Sequence, residues 1–273
     1  MHLALVGYGT IAGTLTRLMA EPTAPRPTRL TVLSRPGRRD AARAAVHEGL
    51  FAKLDVEIVD NVDALRDAAP DFAIECAGHE AVDQAIVPLL RDGVDCVIVS
   101  VGALADVALE ERVDTAARAG GARVILPAGA IGGVDLLAAL ALGDGASVTY
   151  RGIKPPRAWE GTDAETVVDL DTLDEPKAFF KGTAREAARA YPKNANVAAT
   201  LALAGAGFEE TEVALIADPD APGNVHAFDV RSPAANVHMR IENLPAPENP
   251  RTSVSTVYSV LREIRNRLGP VAI

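Results

Sequence analysis

A short apolar stretch, His2 to Val6, runs straight into Gly7-Tyr8-Gly9-Thr10-Ile11-Ala12-Gly13, and then into a helix-like segment, Thr14 to Ala20, with Leu15, Leu18 and Met19 on one face. Strand, glycine turn and helix form the context in which a G-x-G-x-x-A pattern is informative. Gly7 permits the tight turn, Gly9 lets the backbone approach a pyrophosphate, and Ala12 is small enough for the helix to pack on the strand. The open N–H groups of the helix start at Thr10, Ile11 and Ala12, with the positive end of the helix dipole, then suit phosphate oxygens. The chain is constrained to a parallel α/β domain that holds a dinucleotide.

The second strand candidate, Arg29 to Leu33, ends in Ser34-Arg35-Pro36-Gly37-Arg38-Arg39. A site built for NAD carries an acid here for the ribose 2′-hydroxyl. None is present. Ser34 and Arg35 suit a 2′-phosphate, with Arg38 or Arg39 as further cationic partners, so the expected cofactor is NAD or NADP. Strands at Val56 to Val59, Phe72 to Cys76, Val94 to Val99 and Arg123 to Leu126 alternate with helices starting at Asn61, at Glu80 and beyond Ala103. That rhythm implies a parallel sheet with right-handed crossovers. Ligands bind at the carboxyl ends of such strands, here Ala77-Gly78-His79, Ser100-Val101-Gly102 and Pro127 to Gly133. Ala77 and Gly78 thereby join the expected cofactor contacts.

From Val134 the pattern changes. A helix to Leu142 leads to an alternating strand, Ala146 to Gly152, followed by strands at Glu212 to Ala217, Asn224 to Val230 and Ala235 to Ile241, with helices at Thr183 to Ala190 and Asn196 to Leu203. The fold expected is α/β: a Rossmann-type parallel-sheet domain over residues 1–133, plus a second α+β domain over 134–252 with an open, largely antiparallel sheet. The second domain would carry substrate, catalysis and oligomerisation. The amphipathic stretch 253–268 would return to pack on the first.

Composition narrows the function classes. With 273 residues, 48% of them hydrophobic and 23% charged, the chain can bury a sizeable core. A formal net charge of −10 argues against a nucleic-acid binder, which needs a basic face. The most apolar stretch, Val134 to Leu142, is too short to span a bilayer and contains Asp135. Cys76 and Cys96 read as buried free thiols, and the scattered histidines offer no metal-ligand spacing. A cytoplasmic protein without membrane, metal or nucleic-acid partner is expected.

Two segments draw chemical attention: Tyr191-Pro192-Lys193-Asn194-Ala195-Asn196-Val197 and Pro222-Gly223-Asn224-Val225-His226-Ala227-Phe228. A histidine can exchange protons near neutral pH, yet on composition alone His226 reads first as a structural histidine. Asn194 or Asn196 fits a helix cap equally well. Residue physics alone gives a dinucleotide enzyme of open substrate.

Six stretches in chain order resemble the L-aspartate dehydrogenase family: Gly7 to Gly13, Glu75 to Val82, Val99 to Leu104, Leu126 to Asp135, Tyr191 to Gly205 and Gly223 to His226. The resemblance implies NAD(P)-dependent oxidation of L-aspartate to iminoaspartate, which hydrolyses to oxaloacetate and ammonia and in some organisms feeds NAD biosynthesis. It aligns His226 with the family's active-site histidine, and Ala130 and Asn196 with its nicotinamide contacts. It also implies a homodimer. Lys193 is the candidate partner for a substrate carboxylate, with a solvated lysine as the bland alternative. The basic Ser34-Arg35 corner departs from an NAD pattern. Two other readings stay open: a related two-domain reductase of the homoserine dehydrogenase or dihydrodipicolinate reductase type, and a non-catalytic dinucleotide sensor.

Overall fold

All five residues of the first strand, β1 (His2–Val6), are buried, as a central parallel strand covered on both faces requires. It is the middle of a six-stranded sheet. In a computed structural model that describes residues 1–21, 24, 26–49, 54–192, 194–246 and 249–273, the chain divides into two compact units, Met1–Pro127 with Val257–Ile273, and Ala128–Thr256.

The first unit continues with α1 (Thr10–Ala20), β2 (Arg29–Leu33), α2 (Arg39–Gly49), β3 (Asp55–Val59), α3 (Val62–Asp67) and β4 (Phe72–Glu75). A composite helix follows, α4 (His79–Ala81), a π-helical turn (Val82–Ile86) and α5 (Val87–Arg91), then β5 (Asp95–Ile98), α6 (Val107–Gly120) and β6 (Val124–Ile125). Strand order is β3-β2-β1-β4-β5-β6, and every pairing is parallel. The order reverses direction between β1 and β4, and such a switch point opens a crevice beyond the strand ends. Helix starts are marked as expected of short polar side chains: Asn61 accepts from the Ala64 N–H at 2.8 Å, and Asp106 from the Leu109 N–H at 3.0 Å.

The second unit holds α7 (Val134–Leu140), β7 (Ser147–Lys154), β8 (Lys177–Thr183), α8 (Ala184–Ala190), α9 (Asn196–Ala204), β9 (Thr211–Ala217), β10 (Asn224–Arg231), β11 (Asn236–Asn243) and the small pair β12 (Pro245–Ala246) and β13 (Asn249–Ser253). Its five-stranded sheet runs β11-β10-β7-β9-β8. Three pairings are antiparallel, and β7 with β9 is parallel. Strand β8 was not expected from the sequence. Its apolar residues, Ala178-Phe179-Phe180, form a continuous run at a sheet edge rather than an alternating one.

The last helix, α10 (Val254–Leu268), buries Val257, Val260 and Ile264. That helical spacing puts them on one face, and they share a core with Leu3, Leu5, Leu30 and Phe72. The division between units falls after Pro127, ahead of the change of pattern at Val134. The reason is local: the Asn243 amide donates to the Ala130 carbonyl at 2.9 Å, and Gly133 lies against Met239, so 128–133 is held by the second sheet.

Candidate active site

In the first unit the glycine turn sits at the end of β1. Gly7 has φ +93, and a Cβ there would meet the Ala77 Cβ at 2.6 Å, so only glycine fits between β1 and the β4 end. A Cβ on Gly9 would meet nothing within 4 Å. This open side is where a pyrophosphate would approach, in front of the start of α1. That helix has no side-chain cap bond and no acid in its first turn, so nothing there offsets the positive end of its dipole. The residues present therefore fit a dinucleotide phosphate.

Ala77 and Gly78 are fixed by a residue the sequence reading did not single out. Glu75, fully buried at the end of β4, accepts the N–H of Ala77 and of Gly78 at 2.8 Å each on Oε1. It also takes the Ser100 N–H at 2.8 Å and the Ser100 hydroxyl at 3.0 Å. One carboxylate thus ties the β4 and β5 ends together. At the β2 end, Ser34 is buried and its hydroxyl donates to the Val59 carbonyl at 3.3 Å, while Arg35 is exposed.

The second unit gathers a different chemistry on one face of its sheet. Alternation along β7 buries Val148, Tyr150, Gly152 and Lys154, and β10 places His226 directly opposite Gly152. His226 Nδ1 lies 2.7 Å from the Tyr150 hydroxyl. Lys154 Nζ donates to Asn194 Oδ1 at 2.6 Å and stands 5.0 Å from the centre of the Trp159 ring. Burial, and then the charge of Lys154, hold the His226 pKa down at about 3. Burial alone brings Lys154 down to about 8, and it pushes the Tyr150 phenol up. At neutral pH the face presents a neutral imidazole, a protonated phenol and a predominantly charged ammonium.

Both halves match known families. Residues 135–267 match the model described as aspartate dehydrogenase, C-terminal, and residues 7–127 the homoserine dehydrogenase NAD binding domain. The L-aspartate dehydrogenase of Ralstonia pickettii is 43% identical over 274 residues, covering 100% of both chains. The chain belongs to the L-aspartate dehydrogenase family. Its Ruegeria pomeroyi member is 45% identical, over 98% of this chain and 92% of the relative. The crystal structure of aspartate dehydrogenase from Thermotoga maritima superposes with a TM-score of 0.76 at 28% identity, covering 100% of this chain and 99% of that one. A hyperthermophilic archaeal homoserine dehydrogenase shares the fold alone, with a TM-score of 0.57 at 12% identity.

Seen as a member of the L-aspartate dehydrogenase family, the chain has its expected residues distributed between the two units. Gly7, Gly9, Thr10, Ile11, Ala12, Ser34, Arg35, Ala77 and Gly78 lie in the first, and Ala130, Asn196 and His226 in the second. Lys193 lies outside the described residues. The helix-cap reading of the asparagines is not realised: α9 is capped by Ala195 with no side-chain bond, and Asn194 serves Lys154 instead. No helix among the described residues is long and apolar enough to cross a membrane. Cys96 is a buried free thiol and Cys76 a half-buried one. Lys154 and Tyr150 escaped the sequence reading, although the alternation of β7 carried their signal.

Proposed function

We propose that this chain is an NAD(P)-dependent L-aspartate dehydrogenase, an oxidoreductase acting on the CH–NH2 group of L-aspartate. The product, iminoaspartate, takes up water to give oxaloacetate and ammonia. A bound nicotinamide dinucleotide supplies the hydride acceptor. The chain's own residues bind and orient: the Gly7–Ala12 turn holds the phosphates, Arg35 offers a cation to a 2′-phosphate, and Ala130 and Asn196 receive the nicotinamide end. His226, neutral as the free enzyme stands, takes the proton of the water that attacks the imine carbon. The reading extends to a homodimer in the cytoplasm, working on a small molecule away from membranes and nucleic acid, whose imine product can enter NAD biosynthesis.

The observation that carries it is the match of residues 135–267 to the aspartate dehydrogenase C-terminal model. Within that match His226 sits buried on a polar face with Tyr150 and Lys154. The test is nicotinamide reduction with L-aspartate, NAD and NADP supplied separately, for wild type and His226→Ala. Turnover in wild type and a loss of roughly 100-fold or more in the folded, cofactor-binding variant are expected. Folded wild type inert in both directions with either cofactor would overturn the reading.

A further inference from the structure

The geometry points to Lys154 as the residue that anchors one carboxylate of the dicarboxylate substrate. The inference rests on the functional reading above and names a residue that reading left unassigned. Lys154 is the last residue of β7 and keeps only 8% of its surface exposed. Its Nζ has one neutral oxygen partner, Asn194 Oδ1 at 2.6 Å, and an aromatic face, Trp159 at 5.0 Å. An ammonium has three donors. The other two have no hydrogen-bond partner, and no carboxylate pairs with Lys154, among the described residues.

A buried charge without a counter-ion is costly, and nature keeps such groups either for a partner that arrives or with pKa displaced. Here the depressed pKa of Lys154 records that cost. The amide oxygen holds one N–H and the indole face takes the cation from the side, which aims the remaining donors away from both. Lys154 also shares the buried face of the sheet with His226, two residues along β7 from the Gly152 that faces the histidine. A carboxylate on Lys154 therefore lies within one short dicarboxylate's length of the imidazole. The same pairing would offset the charge of Lys154, which after burial is the second cause of the low His226 pKa.

The chain's single tryptophan is Trp159, and this supplies a local reporter that needs no turnover. Succinate, a dicarboxylate that lacks the amino group, is titrated into the full-length protein while Trp159 fluorescence and heat of binding are followed. Wild type should give a saturable response at both. Lys154→Met should weaken succinate binding roughly 100-fold, the scale for removing one partner of a buried charge pair. An apolar side chain of similar length is well tolerated at a buried cationic position, and the folded state of the variant is checked by its thermal transition. Lys154→Gln repeats the test should the methionine variant fail to fold, and Lys154→Arg should retain part of the affinity. In turnover, the KM for L-aspartate should rise on the same scale in Lys154→Met, with the KM for cofactor unchanged.

Succinate binding by wild type that is lost in the variants supports the anchor even if L-aspartate is not oxidised, which would sink the functional reading alone. Aspartate turnover with equal succinate affinity and KM in wild type and variants overturns the anchor and leaves the functional reading intact. Absence of succinate binding to folded wild type overturns the anchor as well.

Discussion

The Tyr150 hydroxyl stands 2.7 Å from Nδ1 of His226, reaching it along β7 over Gly152. A Cβ at position 152 would come within 2.8 Å of that hydroxyl, so the glycine makes the contact possible. The bond settles which ring nitrogen does what. For Nε2 to take a proton, Nδ1 must carry the ring hydrogen and donate it to the phenol oxygen. With His226 as the proposed base, Tyr150 is a positioning residue. We expect Tyr150→Phe to lower kcat about tenfold, the worth of one hydrogen bond, with KM values little altered. Gly152→Ala should reproduce the kcat loss by displacing the phenol. Steady-state kinetics decides: a KM effect with kcat preserved would place Tyr150 in substrate binding.

The state of His226 also sets an acid limit on stability. Its pKa falls from the ordinary 6.5 to about 3 on folding. Between those values the unfolded chain binds a proton that the folded chain refuses, so stability rises with pH across the window and is lost as pH falls below 6.5. The slope from this one group is about 1.4 kcal/mol per pH unit. The ionisable groups facing it are Lys154 and Tyr150, and neither changes charge in that range. His2, held low chiefly by burial, adds a slope of the same sign. In His226→Asn the contribution of His2 remains and that of His226 disappears. Urea midpoints at neutral pH and about pH 5 should therefore converge in the variant relative to wild type. Equal acid sensitivity in both would show that the imidazole is not buried neutral.

Much of this arrangement was legible in the residues. The glycine turn and the βα rhythm specify the first sheet because parallel strands covered on both faces must be apolar runs, as β1 and β4 are. His226 was visible only as a histidine on a strand; its neighbours come from β7, 76 residues away in the case of Tyr150. Lys154 was hidden by its context. A lysine before Pro155-Pro156 looks like the exposed end of a strand, whereas the alternation of Val148, Tyr150 and Gly152 carries it to the inner face. Glu75 was concealed similarly, since an acid closing an apolar strand gives no local hint that three backbone N–H groups will converge on it. Short-range pattern fixes elements; convergence across strands does not leave a short-range trace.

Glu75 offers a test of that convergence. Its carboxylate is fully buried yet accepts from Ala77, Gly78 and Ser100. Glu75→Gln keeps one acceptor oxygen and turns an N–H2 toward a backbone donor or the Ser100 hydroxyl. That leaves at least one part-buried N–H without its carboxylate acceptor, at a cost of about 1 kcal/mol. We expect a lower melting temperature and, because Ala77 and Gly78 flank the glycine turn, NADH binding weakened about tenfold. The kcat at saturating cofactor should be retained. Fluorescence titration with NADH checks it, and wild-type affinity in a destabilised variant would confine Glu75 to structure.

If NADP binds, its 2′-phosphate has two candidate partners at the β2 end, Ser34 and Arg35. The Ser34 hydroxyl is already donated inward to the Val59 carbonyl at 3.3 Å, and the same carbonyl takes the Ser34 N–H at 2.8 Å. To serve a phosphate the hydroxyl would have to abandon that bond. Arg35 is exposed and presents up to five donors to an anion. Arg35→Ala should then raise the KM for NADP roughly tenfold, as expected for a charge-assisted bond, and leave the KM for NAD unchanged. Ser34→Ala should do little to either. Because the guanidinium faces water, added salt should raise the KM for NADP more in wild type than in Arg35→Ala. A larger NADP penalty from Ser34→Ala than from Arg35→Ala would reverse the assignment. It would mean that the serine rotates outward when the phosphate arrives.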